Sequence, residues 1–186
     1  MSIAHIILGL LQQQQRTGYD LKTGCFDDCI AHVWQADQSQ IYRTLEKLEA
    51  QGWVDCTVEI QHDRPNRKVY QITQAGKAEL NQWLQTHQSL PIVREPLLMQ
   101  LYLASDLSNE AIVALLEQEQ TAHQMRLAKC EAVQRDVPLA QEMPSLQPPA
   151  RREKVIHQLV LELLRRKEQT YLDWLQEAIE QIRACS

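Results

Sequence analysis

The feature that most constrains this fold is one change of hydrophobic period. Up to Gly52 the apolar side chains recur at helical spacing. Ile3, Ile6, Ile7, Leu10 and Leu11 mark a first helix to about Gln15, and Ile41, Leu45 and Leu48 fall at i, i+4 and i+7. Directly after Gly52, Val54, Cys56, Val58 and Ile60 alternate with Asp55, Thr57, Glu59 and Gln61. That period of two is the mark of a half-buried strand. A short polar loop with Asp63, Pro65 and Asn66 leads to a second strand with Tyr70 and Ile72 on one face. One β-hairpin therefore stands between helices.

Local signals set the rest of the order. The turn "RTGYD" ends the first helix, and Thr17 or Gly18 caps a second that carries Leu21. "CFDDCIAHVW" reads as a further short helix or as a continuation. Asp37 is an N-cap for the third helix, with Gln40 three residues on, and Gly52 is its stop. Thr73 caps a fourth helix with Leu80, Trp83 and Leu84, ending near Gln88.

Two prolines then bracket "IVRE", which places a domain boundary after residue 88. The remainder, 89–186, reads as all-helical. A short helix spans 97–104, and Ser108 caps a long one with Ile112, Leu115, Leu116, Ala122, Leu127, Cys130 and Val133. "VPLAQEMPSLQPP" holds four prolines and reads as a loop. The last helix runs over about 150–182, with Ile156, Leu159, Val160, Leu163, Leu164, Tyr171, Leu175 and Ile179 as its apolar seam. A seam that long calls for a coiled-coil-like partner, and a second subunit is expected to cover part of it.

Composition narrows the function classes. The 186 residues carry a formal net charge of −5, so the chain as a whole is no polyanion binder. Nucleic-acid binding has to come from a local patch. The N-terminus lacks the basic start and cleavage site of a signal peptide, and no apolar run approaches the roughly 18 residues that span a bilayer. The cytoplasm is the expected compartment, with no membrane partner and the five cysteines reduced. No cofactor is expected. No Ser/His/Asp order, phosphate-cradling glycine loop or HExxH motif appears, so there is no positive case for an enzyme.

Three helices, a hairpin and a helix form the order of a winged helix-turn-helix. In that architecture the third helix enters the DNA major groove, and the hairpin lies beside it as a wing. The third helix offers Gln38, Ser39, Gln40, Tyr42 and Arg43, which suit base edges and phosphates. Around the hairpin turn stand Arg64, Pro65, Arg67 and Lys68, a basic cluster in an acidic chain. A solvated turn would also hold such cations. The helices before and after it are what favour the DNA reading. Tyr42 flanks the apolar stripe and suits either packing or DNA contact, and Trp53 suits packing at the base of the wing.

Three blocks carry a resemblance to a known family. "GYDL", "SQIYRTLEKLEAQGWV" and "RPNRKVYQITQAGKAEL" are similar in residues, spacing and order to the PadR family of bacterial transcriptional regulators. The helical remainder resembles the dimerisation domain of its longer members. The resemblance implies a mainly α fold with one small β-hairpin: a winged-helix domain over 1–88 and an all-α dimerisation domain over 89–186. It implies a homodimer joined through the C-terminal helices that binds a pseudo-palindromic operator, usually as a repressor. It also implies relief of repression by a small effector, in some members a phenolic acid or drug-like aromatic. Gln38, Ser39, Gln40, Tyr42 and Arg43 match the DNA-reading helix, and Arg64, Pro65, Arg67 and Lys68 match the wing. Where many family wings carry Gly before Arg-Pro, this chain has Asp63.

Other readings stand beside this one. A winged-helix protein–protein module without DNA binding would fit the acidic charge and Asp63. Cys25, Cys29 and His32 fall at i, i+4 and i+7, which would serve a metal or redox sensor, but they lack a second ligand pair, so no metal site is expected. For an effector, the aromatic candidates are Trp34, Tyr102, Tyr171 and Trp174. The other histidines, His123 among them, read as surface or satisfied groups.

Overall fold

The computed structural model describes residues 3–31, 33–60, 66–136 and 147–185. It divides into two compact units, Met1–Ile92 and Val93–Ser186.

In the first unit, helix α1 spans Ile3–Gln13. The chain then forms a two-residue strand β1, Arg16–Thr17, that pairs antiparallel with the later hairpin. Sequence reading takes this stretch for a turn. The strand exists only because Arg16 meets Tyr70 and Thr17 meets Val69, partners more than fifty positions away. Helix α2, Gly18–Leu21, starts at a capping box. The Thr17 hydroxyl accepts from Asp20 N–H, and the Asp20 carboxylate accepts from Thr17 N–H, both at 3.0 Å. It continues through wider π-type turns over Lys22–Cys29, which settles "CFDDC" as a continuation.

Helix α3 spans Gln38–Ala50 from an Asp37 N-cap. Its Ile41, Leu45 and Leu48 are fully buried with Ile7, Leu8 and Leu21. Each such side chain contributes about 1.5–3 kcal/mol of transfer free energy. Gly52 follows at φ +69°, the left-handed geometry glycine adopts without a Cβ penalty.

Strands β2 (Val54–Glu59) and β3 (Arg67–Ile72) form the hairpin, and the sheet order is β1-β3-β2. Two details depart from the alternating pattern. Val69 is buried as well as Tyr70 and Ile72, on the central strand of the sheet. On β2 only Val54 and Cys56 turn inward to the core. Val58 is 51 % exposed, and Ile60 beyond it is 79 % exposed. The hairpin outruns the helices there, so the period-two signal continues past the core it would face. Helix α4, Gln74–Gln85, ends three residues before the expected Gln88. The Thr73 hydroxyl caps it at Gly76 N–H, 3.0 Å away.

In the second unit, α5 covers Pro96–Tyr102, with proline in the first helical turn, and a short 3₁₀ turn follows at Ala104–Asp106. Helix α6, Asn109–Asp136, and helix α7, Pro148–Ala184, run antiparallel. Glu117 meets Arg183, Gln120 meets Gln176, and His123 meets Glu168. Most of the proline-rich stretch between them lies outside the described residues. The long apolar seam expected on α7 proves to be two faces. Leu161, Leu172, Leu175 and Ile179 are buried within the chain. Ile156, Leu159, Val160 and Leu163 are not, and Leu159 is 65 % exposed.

Candidate nucleic-acid interface

The outward side of α3 begins at its cap. Asp37 Oδ1 accepts from the Gln40 N–H at 2.7 Å and from the Ser39 hydroxyl at 2.6 Å. The Ser39 hydroxyl and the Gln40 amide hold the Asp37 carboxyl below its usual range. Gln38, Ser39 and Arg43 are exposed and Gln40 is half-buried. Arg43 Nε donates to the Ser39 carbonyl at 3.3 Å, which lays the guanidinium back along the first turns of the helix. These side chains therefore share one polar surface while Ile41 and Leu45 lock the opposite face.

Tyr42 is half-buried and lies against the start of α2. A Cβ added to Gly18 would come within 2.6 Å of Tyr42 Cε1. Absence of a side chain at Gly18 thus lets the two helices meet here. Of the two roles open to Tyr42, packing is one it fulfils.

The wing is partly described. Arg64 and Pro65, with Asp63, lie outside the described residues. Arg67 and Lys68 open β3 and are exposed. Arg67 has company that sequence reading misses: its guanidinium lies 3.5 Å from Asp20 Oδ2 and 3.5 Å from Glu59 Oε2. Glu59 is its cross-strand partner, a signal the hairpin register carries once the turn length is known. Lys68 makes no ion pair among the described residues. Trp53 packs on the core at the wing's base, and its carbonyl accepts the Thr73 N–H at 3.0 Å.

Cys25 lies in the core, where burial, with Cys29 beside it, pushes its thiol up to about 11. Cys29 is exposed, and His32 lies outside the described residues. Among the described residues no group of three His, Cys, Asp or Glu is gathered as a metal would need.

In the second unit the effector candidates part company. Tyr102 and Trp174 are exposed, and Trp34, in the first unit, packs beside its core. Tyr171 stacks on His123, with ring centroids 4.0 Å apart, and its hydroxyl reaches Glu95 at 3.5 Å. Burial first, then Glu95, raises the Tyr171 pKa. His123 is a satisfied group: buried, 2.5 Å from Glu168 and 3.4 Å from Glu119. Glu168 also meets Arg126 at 3.2 Å. A cavity of about 260 Å³ opens beside them, lined by Arg94, Leu97, His123, Arg126, Lys167 and Tyr171 among others. Sequence reading misses Glu168. The signal was there: Glu168 stands seven residues from both Leu161 and Leu175, and His123 seven from both Leu116 and Cys130. Both are polar intruders in a heptad-spaced apolar row.

The profile of the "Transcriptional regulator PadR-like family" matches residues 7–82. The chain is also 30 % identical over 181 residues to the negative transcriptional regulator PadR of Bacillus subtilis, covering 97 % of each. This chain belongs to the PadR-like family. A second profile, "Virulence activator alpha C-term", matches 93–183.

Solved PadR-like structures agree along nearly the whole chain. Bacillus subtilis PadR in complex with operator DNA superposes with a TM-score of 0.81 at 29 % identity, over 97 % of this chain and 98 % of that one. The same protein in complex with p-coumaric acid gives 0.74 at 28 %, over 97 % and 95 %. The Vibrio cholerae virulence activator AphA gives 0.76 at 26 % identity, over the full length of both. This PadR-like chain is thus a transcriptional regulator with a winged-helix fold. No helix among its described residues is long and apolar enough to cross a membrane.

Proposed function

We propose that this PadR-like chain is a cytoplasmic, non-enzymatic, homodimeric repressor that binds a two-fold operator. In this reading 1–88 binds DNA and 89–186 dimerises. Gln38, Ser39, Gln40, Tyr42 and Arg43 face the major groove, and the wing with Arg64, Pro65, Arg67 and Lys68 lies along the backbone. The observation that carries the reading is the exposed polar face at the start of α3, clamped by a fully buried Ile41 and Leu45. The exposed Ile156, Leu159, Val160 and Leu163 on α7 support a second copy as partner.

A small aromatic acid is the proposed effector, by analogy with the p-coumaric acid bound to the Bacillus subtilis relative. It would act by favouring one spacing of the two α3 copies over another.

Selection of bound duplexes from a random pool, followed by salt titration, tests the reading. An enriched two-fold site is expected, with affinity falling steeply as salt rises because phosphate contacts release counterions. A chain with no salt-dependent affinity for DNA would instead be a protein–protein module.

A further inference from the structure

We propose that Arg67 is a positioning residue: the Asp20–Arg67–Glu59 clamp fixes the wing's direction relative to the reading helix, and Arg67 is not itself a phosphate ligand. This deepens the DNA-binding reading and rests on it, and it replaces the direct backbone contact which that reading gives Arg67.

The geometry runs from wing to helix in three steps. Arg67 opens β3 and sits opposite Glu59 in the hairpin register, with Nε 3.5 Å from the Glu59 carboxylate. Its Nη2 is 3.5 Å from Asp20 Oδ2. That same oxygen accepts the Thr17 N–H at 3.0 Å, while Asp20 N–H donates to the Thr17 hydroxyl, also at 3.0 Å. The carboxylate is therefore held by the N-terminal box of α2 rather than free to follow the wing. One residue along, Gly18 receives the ring of Tyr42 from α3. The wing root, the start of α2 and the reading helix form one connected path.

Charge points the same way. Two carboxylates face one guanidinium, so the wing root presents little positive field to a phosphate. Lys68, the next residue, makes no ion pair among the described residues and remains available to meet DNA. Each contact is half-exposed and adds little to stability. Its effect is on direction. Random DNA needs no fixed wing direction, because phosphates lie everywhere along it. An operator does, since α3 and the wing must engage at one register.

Affinities for the selected operator and for random duplex of equal length, over a salt series, test this. For Lys68→Ala the slope of log affinity against log salt should drop by about one, with the operator-to-random ratio kept. For Arg67→Ala the slope should stay at the wild-type value while the ratio falls by about tenfold, the size of one lost base contact. Arg67→Lys, which keeps the charge but loses the fork, should rescue the ratio only in part. Asp20→Asn, whose amide oxygen still accepts the Thr17 N–H, should lower the ratio like Arg67→Ala and gives the answer if that variant fails to fold. A reduced slope for Arg67→Ala, or a ratio unchanged in both Arg67→Ala and Asp20→Asn, overturns the proposal. A wild type with no salt-dependent binding would instead overturn the DNA reading beneath it.

Discussion

The ring of Tyr42 occupies the space a side chain at Gly18 would need, with Cε1 only 2.6 Å from the position of an added Cβ. Two effects compete on Gly18→Ala. Alanine in a helix gains about 0.5–1 kcal/mol over glycine, whereas overpacking costs about 1–3 kcal/mol. The ring should decide the sign. Gly18→Ala is expected to lower stability by about 1–2 kcal/mol in urea unfolding, and Tyr42→Leu in the same chain should recover most of the loss. A stabilised Gly18→Ala would show that Tyr42 swings aside freely.

That contact also marks where sequence reading runs out. Helix α3 is legible because its signals are local: Asp37 caps it, Gly52 ends it, and Ile41, Leu45 and Leu48 share a face. The hairpin is legible for the same reason. Strand β1 is not, since two residues become a strand only through Val69 and Tyr70. The Arg67 clamp is hidden likewise, because Asp20 is brought to it by the fold. On α7 the difficulty is different. Leu159 and Leu175 are both apolar, yet sixteen positions put them about 160° apart around the helix, and only the antiparallel packing of α6 shows which of the two apolar faces is covered.

The capping carboxylate gives a pH prediction. Burial pushes the Asp20 pKa up, but the Thr17 amide and hydroxyl and the Arg67 guanidinium outweigh it and hold the group below 3.8. A depressed folded pKa contributes stability that is present above the unfolded value and lost as pH falls through the folded one. The stability gap between wild type and Asp20→Asn should therefore stay level from about pH 8 to about pH 5 and close below about pH 4. Urea midpoints across that series check it. A gap that widens in acid would mean Asp20 is not held as a carboxylate.

Thiol reactivity should follow burial. The Cys25 thiol, pushed up to about 11 and sealed in the core, carries almost no thiolate near neutral pH. Cys130 is also buried and raised, by burial first and then Glu168. Cys29 and Cys185 are exposed. A brief maleimide pulse on the native protein, read by peptide mass spectrometry, should label Cys29 and Cys185 and spare Cys25 and Cys130. Early labelling of Cys25 would revive the redox reading of that segment.

The polar pair inside the α6–α7 seam should be costly to break and cheap to replace. Glu168 is nearly buried and holds both His123 and Arg126. Glu168→Ala leaves His123 Nδ1 without its partner, while Nε2 keeps Glu119, and is expected to cost about 2–4 kcal/mol. Changing His123 and Glu168 together to leucine should cost far less, because the heptad row Leu116–123–Cys130 then faces 161–168–175 as an apolar seam. Thermal melts of the single and double variants separate the two cases, and equal losses would mean the pair holds the helices in a way packing cannot replace.

The open face of α7 makes the last prediction. Ile156, Leu159, Val160 and Leu163 lie close together on one helix, and Leu163, 55 % exposed, stands outside the second unit's core cluster. A cluster of that kind on a water-facing surface marks a contact with another chain. Leu159→Glu with Leu163→Glu places two carboxylates in it. Within one chain these positions touch little, so the circular dichroism spectrum should be unchanged. Across a two-fold seam the same carboxylates would be desolvated, at several kcal/mol, which is enough to separate subunits. Sedimentation should show a dimer for the wild type and a monomer for the double variant. On DNA that monomer should protect a single half-site, because the second α3 is no longer held at a fixed distance. A double variant that remains dimeric would place the subunit contact on another face.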